Sequence, residues 1–353
     1  MHAQGIIERL ARGDVPSLEE LSFLIGLEDR ATLEALYAAA DRVRRERLGD
    51  GVHLRGLIEF SNHCRADCLY CGLRRGNRAL ARHRLAPEAV RAAIAEAAAL
   101  GYGTVVLQSG EDPWYDADRV ADLIVFAKGK KLAVTLSLGE RGPDELAHWR
   151  RCGADRYLLR HETANPRLHA ALRPGRTLGG RVAVLRTLRE LGYQVGTGFM
   201  VGLPDQEPAD LAADLLLALE IEADMVGIGP FIPHPETPLR AARGGGIEAA
   251  LKMVALARLL LPEAMIPATT AMGSLHSQGR ELALAAGANV VMPSVTPQPM
   301  RTHYQLYPGK ICLGETPEHC RGCLENRIKG LGRFVAAGPG HCPRWERRNR
   351  HEG

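Results

Sequence analysis

The chain has 353 residues, 46% hydrophobic and 24% charged, with a net charge of +4. A chain of this size buries a core without disulfides or structural metal, so its eight cysteines are surplus to folding. The small net charge argues against nucleic acid, the lack of a long apolar run against a membrane span, and the charged start MHAQGIIERLARGD against a signal peptide; a reducing cytoplasm is the default expectation.

Residues 1–50 read as an N-terminal helical extension. Ser17-Leu-Glu-Glu20 has the pattern of a capping box, and 31–47 continue the helical apolar spacing. From residue 55 short β-rich runs alternate with helical ones. Strands are expected at 55–61, 104–109, 132–138, 155–160, 194–201, 224–229, 265–270 and 289–293. Helices are expected at 87–100, 117–129, 143–151, 178–191, 207–221, 247–261 and 275–286. Gly101, Gly153, Gly192 and Gly287 stand where such helices end. This alternation predicts an α/β fold, a (β/α)8 barrel of the TIM type over 51–293. A doubly wound sheet is the rival, but it would carry a Gly-rich phosphate turn after an early strand, and cysteines stand after the first strand instead. The C-terminal segment, 294–353, is rich in Pro, Gly and Cys and is expected to wrap the barrel's end. Its basic run, Arg344 to Arg350, reads as a solvated terminus.

The sharpest motif is Cys64-x3-Cys68-x2-Cys71, directly after the first strand. That is the barrel end where active sites are built. Structural zinc wants four ligands, which His63 or His83 would complete. A cubane [4Fe–4S] cluster also takes four, so three thiolates leave one iron open to a substrate or cofactor. A second group, Cys312-x7-Cys320-x2-Cys323, offers three more thiols; zinc completed by His319 or Cys342 competes there with an iron–sulfur cluster. Cys152, at a helix end, reads as a packed small hydrophobe, and Cys342 has no assigned role. His234, between two prolines, reads as a loop histidine or as a ligand or proton donor.

With Tyr70 before its last cysteine, the first motif resembles the radical S-adenosylmethionine (SAM) superfamily. In that superfamily three cysteines hold a [4Fe–4S] cluster, and SAM binds the fourth iron through its amino and carboxylate groups. Gln108-Ser-Gly-Glu-Asp112 resembles the stretch that receives the SAM amino group, with Ser109 in place of a glycine and with Gly110 and Glu111 retained. Gly198-Phe-Met-Val-Gly202 resembles the Gly-rich strand beside the adenine. Longer strings, among them Ile58-Glu-Phe-Ser-Asn62, Ile266-Pro-Ala-Thr-Thr-Ala-Met272 and Tyr304-Gln-Leu-Tyr-Pro-Gly-Lys-Ile-Cys312, resemble the HydE family of [FeFe]-hydrogenase maturases. Biotin synthase and methylornithine synthase are less similar; Arg160-His-Glu-Thr stands where biotin synthase carries Tyr-Asn-His-Asn.

The resemblance implies that Ser137 and Glu162 contact SAM and that Arg181 pairs with its carboxylate, as a guanidinium fork suits. For Arg160 and Arg181 the plain alternative is a solvated or salt-bridged arginine. It further implies a substrate cavity lined by Thr135, Arg160, Met225, Thr269, Thr270, Met292, Tyr304 and Tyr307, with core packing as the alternative for Met225 and Met292. A second iron–sulfur cluster is implied at Cys312, Cys320 and Cys323. The implied substrate is a small iron complex carrying cysteine, carbon monoxide and cyanide, processed in assembly of the hydrogenase H-cluster. The implied partners are the maturases HydF and HydG and a reduced ferredoxin or flavodoxin. An amino-acid substrate, as for methylornithine synthase, is the alternative, and a zinc-bearing structural barrel lies outside that class.

Overall fold

In the computed structural model, which describes residues 2–350, the strands are β1 (Gly51–Leu54), β2 (Gly56–Ser61), β3 (Thr104–Ser109), β4 (Ala133–Ser137), β5 (Arg156–Leu158), β6 (Gln194–Val201), β7 (Met225–Pro230), β8 (Val290–Val291) and β9 (Phe334–Val335). Strands β2 to β7 pair in sequence order as one parallel sheet, and β8, β1 and β9 pair as a second. Parallel bridges Met225–Met265, Pro267–Val290 and Leu57–Ser294 join the two sheets into a ring. Helices lie between successive strands and cover the ring, which is the expected α/β barrel.

The seventh barrel position departs from expectation. Residues 265–270 form no ladder, and only Met265 and Pro267 make bridges. Pro267 has no N–H to donate, and Thr270 already opens the helix Thr270–Leu275. The helix expected at 275–286 is accordingly two short ones, Thr270–Leu275 and Gly279–Ala285. Besides the single turn Gln298–Arg301, three helices were not expected: Pro166–Leu172, Pro317–Gly330 and Pro343–Arg350. Each opens on proline, which suits the first helical turn.

The N-terminal helices are Ala3–Arg12, Leu18–Gly26 and Arg30–Leu48, and the Ser17–Glu20 capping box is formed. Leu18–Gly26 packs on Pro208–Glu220, and Arg30–Leu48 packs on Ile247–Leu260. That second cover explains why Ala250 to Leu260 are all buried, with no solvent-facing stripe. Lys252 Nζ donates to the carbonyl of Ile25 at 2.7 Å, tying the last turn of one helix to the barrel's outer layer.

The C-terminal segment reaches both ends of the barrel rather than one. Residues 304–310 lie over the carboxyl ends of the strands, whereas β9 pairs with β1 and 339–342 close the opposite end. There Arg55 donates to Gly340 O at 3.0 Å, Arg156 to Pro339 O at 2.8 Å, and Cys342 N–H to Gln194 Oε1 at 2.8 Å. Cys342 is thus fully buried in a floor plug, and Cys152 packs partly buried on the main core. The basic run is docked, not solvated: Arg348 pairs with Asp224 at 3.0 Å, Arg344 with the same carboxylate at 3.6 Å, and Arg347 with Glu263.

Candidate active site

Residues 62–85, between β2 and the helix Pro87–Ala99, carry the first cysteine group as an irregular loop. Its shape is set by side chains that gather backbone carbonyls. Arg82 donates to Asn62 O at 2.7 Å, Leu73 O at 2.9 Å and Arg74 O at 2.7 Å. The Asn62 amide donates to Ala81 O at 2.8 Å and His303 O at 2.7 Å. Asp112 anchors the loop to β3 through Arg84, at 2.6 Å, and Ser61 Oγ, at 2.6 Å. Burial works against the Asp112 carboxylate, but these bonds and the Trp114 N–H hold it below its ordinary range.

Cys64, Cys68 and Cys71 all face a cavity of about 330 Å³ at the carboxyl ends of the strands. Gly110 permits this arrangement: a Cβ there would stand 2.2 Å from His63 O and 2.9 Å from Cys64 Cβ. The Glu111 N–H points at Cys64 Sγ, 3.4 Å away. Burial pushes the Cys64 and Cys71 thiols up, and for Cys71 the neighbouring Cys68 and Cys64 push further. Three mutually opposed thiols around one void are a donor set that a cationic centre relieves. Among the described residues no three Cys, His, Asp or Glu side chains gather tightly enough to ligate one metal ion, at this loop or elsewhere.

Tyr70, Gly110, Glu111, Ser137, Arg160, Glu162, Arg181, Thr269, Thr270, Met292, Tyr304 and Tyr307 line the same cavity. Glu111 takes Arg176 at 2.9 Å and Arg65 at 3.1 Å, and it is held by the turn at Gly139 (φ +73°) through the Glu140 N–H at 3.1 Å. Arg181 Nε lies 3.1 Å from Glu140 Oε1 without hydrogen-bond alignment, so both atoms lack a partner. Arg160 Nη2 and Glu162 Oε2 are similarly close, 3.0 Å, and similarly misaligned. Both arginines are thus salt-bridged, Arg181 buried and Arg160 half-buried. Thr270 Oγ1 accepts from Arg280 at 3.2 Å, whereas Thr269 Oγ1 is buried without a partner among the described residues.

Two expected residues lie elsewhere. Thr135 and Met225 do not line this cavity. Each precedes a lining residue of its own strand by two positions, Ser137 and Gly227, and so shares its inward face one layer deeper. Thr135 Oγ1 is buried without a partner, and Met225 packs with Met265, Val290 and Cys342 while accepting from Arg55. The core alternative therefore holds for Met225.

The sequence reading missed Glu59, Gln108, Glu140, Arg173, Arg176 and Lys310. Glu59 and Lys310 form a buried pair at 2.6 Å in the cavity wall. The signal for Glu59 was available: an acid within Leu57-Ile58-Glu59-Phe60, a strand buried on both faces. Gln108 stands near the end of β3, and Glu140, Arg173, Arg176 and Lys310 sit in loops with no periodicity to read. His234 is buried beside Gly72, and its Nδ1 accepts the Glu236 N–H at 3.1 Å.

In the second cysteine group, Cys312 (φ +62°) lies beside Cys320, and its sulfur is 3.8 Å from Arg280 Nη1. The Cys320 thiol and Arg280 pull Cys312 down to about 6 against the effect of burial. Cys323, one turn beyond Cys320, is exposed beside Arg327.

Residues 58–218 match the family model described as the radical SAM superfamily. The chain is 51% identical over 333 residues to the [FeFe] hydrogenase maturase subunit HydE of Thermotoga maritima, covering 94% of this chain and 95% of that one. The chain belongs to the HydE family of radical SAM enzymes. Membership of the radical SAM superfamily implies a [4Fe–4S] cluster and SAM. The same chain is 31% identical over 281 residues to 3-methylornithine synthase of Methanosarcina barkeri, covering 79% of each. A crystal structure of methylornithine synthase superposes with a TM-score of 0.83 at 29% identity, over 94% of this chain and 97% of that one. The structure of HydG, a maturase of the [FeFe]-hydrogenase, superposes at 0.80 with 18% identity, over 99% of this HydE-family chain and 77% of that one, a likeness of fold. Among the described residues no helix is long and apolar enough to cross a membrane.

Proposed function

We propose that this chain is a radical SAM maturase that acts on a small iron complex carrying cysteine, carbon monoxide and cyanide during assembly of the [FeFe]-hydrogenase H-cluster. The observation that carries the reading is the three thiols and Glu111 opening on one cavity in a chain 51% identical to a HydE. In this reading Cys64, Cys68 and Cys71 hold the [4Fe–4S] cluster. When bound, the cluster supplies the electron for reductive cleavage of SAM to methionine and a 5′-deoxyadenosyl radical.

The chain's own residues bind and orient. Glu111 offers its carboxylate to the SAM ammonium, and Arg181, whose Nε lacks an aligned partner, offers its fork to the SAM carboxylate. Tyr70, Ser137 and Glu162 complete the wall on that side, and Gly110 lets the turn approach. Met292, Thr269, Thr270, Arg160, Tyr304 and Tyr307 face the remaining space, where the unpartnered Thr269 hydroxyl suits a polar or anionic substrate. The wall residues would fix the distance between the reacting end of SAM and the target. Cys312, Cys320 and Cys323 are a second iron–sulfur site in this reading. HydF, HydG and a reduced ferredoxin or flavodoxin are the partners, and the compartment is the cytoplasm.

The likeness to methylornithine synthase favours one other reading, a carbon-skeleton rearrangement of an amino acid in the same cavity. Anaerobic incubation with SAM and lysine separates the two: a rearranged amino acid would overturn the maturase reading, and its absence alongside turnover of the iron complex supports it.

A further inference from the structure

Cys68 and Arg173 form a wall between two spaces. On the inner side is the 330 Å³ cavity, and on the outer side is a pocket of about 130 Å³ lined by Arg65, Asp67, Cys68, Arg75, Arg173 and Arg176. Of the three loop thiols, Cys68 alone lines the outer pocket. The Arg173 guanidinium lies against the Cys68 thiol.

The outer pocket is strongly cationic. Residues 64–84 carry six arginines and one aspartate, and 166–176 add three arginines and no acid, in a chain of net charge +4. The one aspartate, Asp67, is already taken by Arg74 at 2.8 Å. Arg65 and Arg176 pair with Glu111, and Arg173 and Arg176 with Glu140, so Arg75 is the lining arginine left without an acid. Arg75 and Arg78 are exposed and make no ion pair among the described residues. The charge that no acid answers is therefore that of Arg75 and Arg78, at and beside the rim of the outer pocket.

We propose that this arginine-ringed pocket is the docking site of an acidic one-electron carrier protein, with Cys68 as the side chain through which the electron enters. The inference rests on the reading of Cys64, Cys68 and Cys71 as cluster ligands. Electron transfer needs close approach, and Cys68 is the one loop thiol that lines the arginine pocket. A ring of like charge steers an oppositely charged partner and orients it on contact. The step is a simple exchange: the carrier loses one electron, the cluster gains it, and no bond is made or broken.

The test uses the full chain with its cluster reconstituted anaerobically, reduced in a stopped-flow instrument by flavodoxin hydroquinone or by dithionite. With flavodoxin, the wild-type rate should fall about tenfold or more as salt is raised from roughly 50 to 300 mM. At low salt Arg75→Glu should slow flavodoxin by a similar factor, and Arg75→Lys should keep the wild-type rate. Dithionite, which needs no docking site, should reduce all three alike. A flavodoxin rate that ignores both salt and Arg75→Glu would overturn the proposal; the salt series needs no variant. A wild-type protein that takes up no iron or sulfide would instead overturn the cluster reading beneath it.

Discussion

His161 Nε2 lies 3.2 Å from Asp214 Oδ1, and both side chains are completely buried. His161 Nδ1 meets Thr197 Oγ1 at 2.8 Å, and the Ala164 N–H also donates to Asp214. This knot fixes the segment whose flanking residues, Arg160 and Glu162, both face the cavity. Glu162 is held at φ +72°, a costly conformation for a residue with a Cβ. Asp214→Ala leaves His161 Nε2 and the Ala164 N–H unpartnered, at about 1–3 kcal/mol each. Thermal unfolding should shift down accordingly, and SAM affinity measured by calorimetry should weaken while iron content stays near wild type. Unchanged SAM affinity in a folded variant would show that the knot does not position Glu162.

Lys310 and Glu59 make a different kind of pair. Burial pushes Glu59 up, and Lys310 opposes the shift. Lys310→Met would strand a buried carboxylate, at about 3–5 kcal/mol unless it takes up a proton. The double change Lys310→Met/Glu59→Gln should recover most of that loss. A double-mutant cycle by denaturant unfolding checks it; a double variant no more stable than the single would contradict the pairing.

The floor plug should respond to acid. His341 Nδ1 lies 2.8 Å from Arg156 Nη2 and 2.5 Å from Gln194 Nε2, two donors, so it must be the unprotonated nitrogen. Burial, with the charges of Arg156 and Arg55, pushes His341 down to about 4, and His53 is pushed to about 4 by the same causes. An unfolded histidine titrates near 6.5. Between about 4 and 6.5 the unfolded chain thus binds protons that the folded chain refuses, so stability present above 6.5 drains away as pH falls toward 4. The Tm of the iron-free protein should be lower at pH 5 than at pH 7.5. A Tm that is flat or higher at pH 5 would count against the neutral floor.

Gly110→Ala tests the close approach of the turn to the cysteine loop. The added methyl meets backbone, which cannot swing aside, so the loop itself must move. Iron incorporation should fall severalfold while far-UV circular dichroism is kept. Full iron loading would show that the loop tolerates the displacement.

The barrel was legible because its strands are short apolar runs punctuated by helix-ending glycines, and six of them pair where the pattern put them. The seventh failed at Pro267, where an apolar run lacks the donor a ladder needs. The cysteine loop and the turn at Glu111 were legible as spacing. Arg173, Arg176 and Glu140 were not, because their contacts come from loops that only tertiary folding brings together. Met225 was misplaced by a depth error: alternation gives the face of a strand, not the layer of the barrel.

The most direct test is SAM cleavage by anaerobically reconstituted protein with dithionite, read as 5′-deoxyadenosine and methionine, for wild type and Cys68→Ala. The wild type should bind iron and sulfide, absorb broadly near 400 nm and form both products, and Cys68→Ala should form neither. A colourless wild type holding stoichiometric zinc, or a Cys68→Ala protein that still cleaves SAM, would contradict the account.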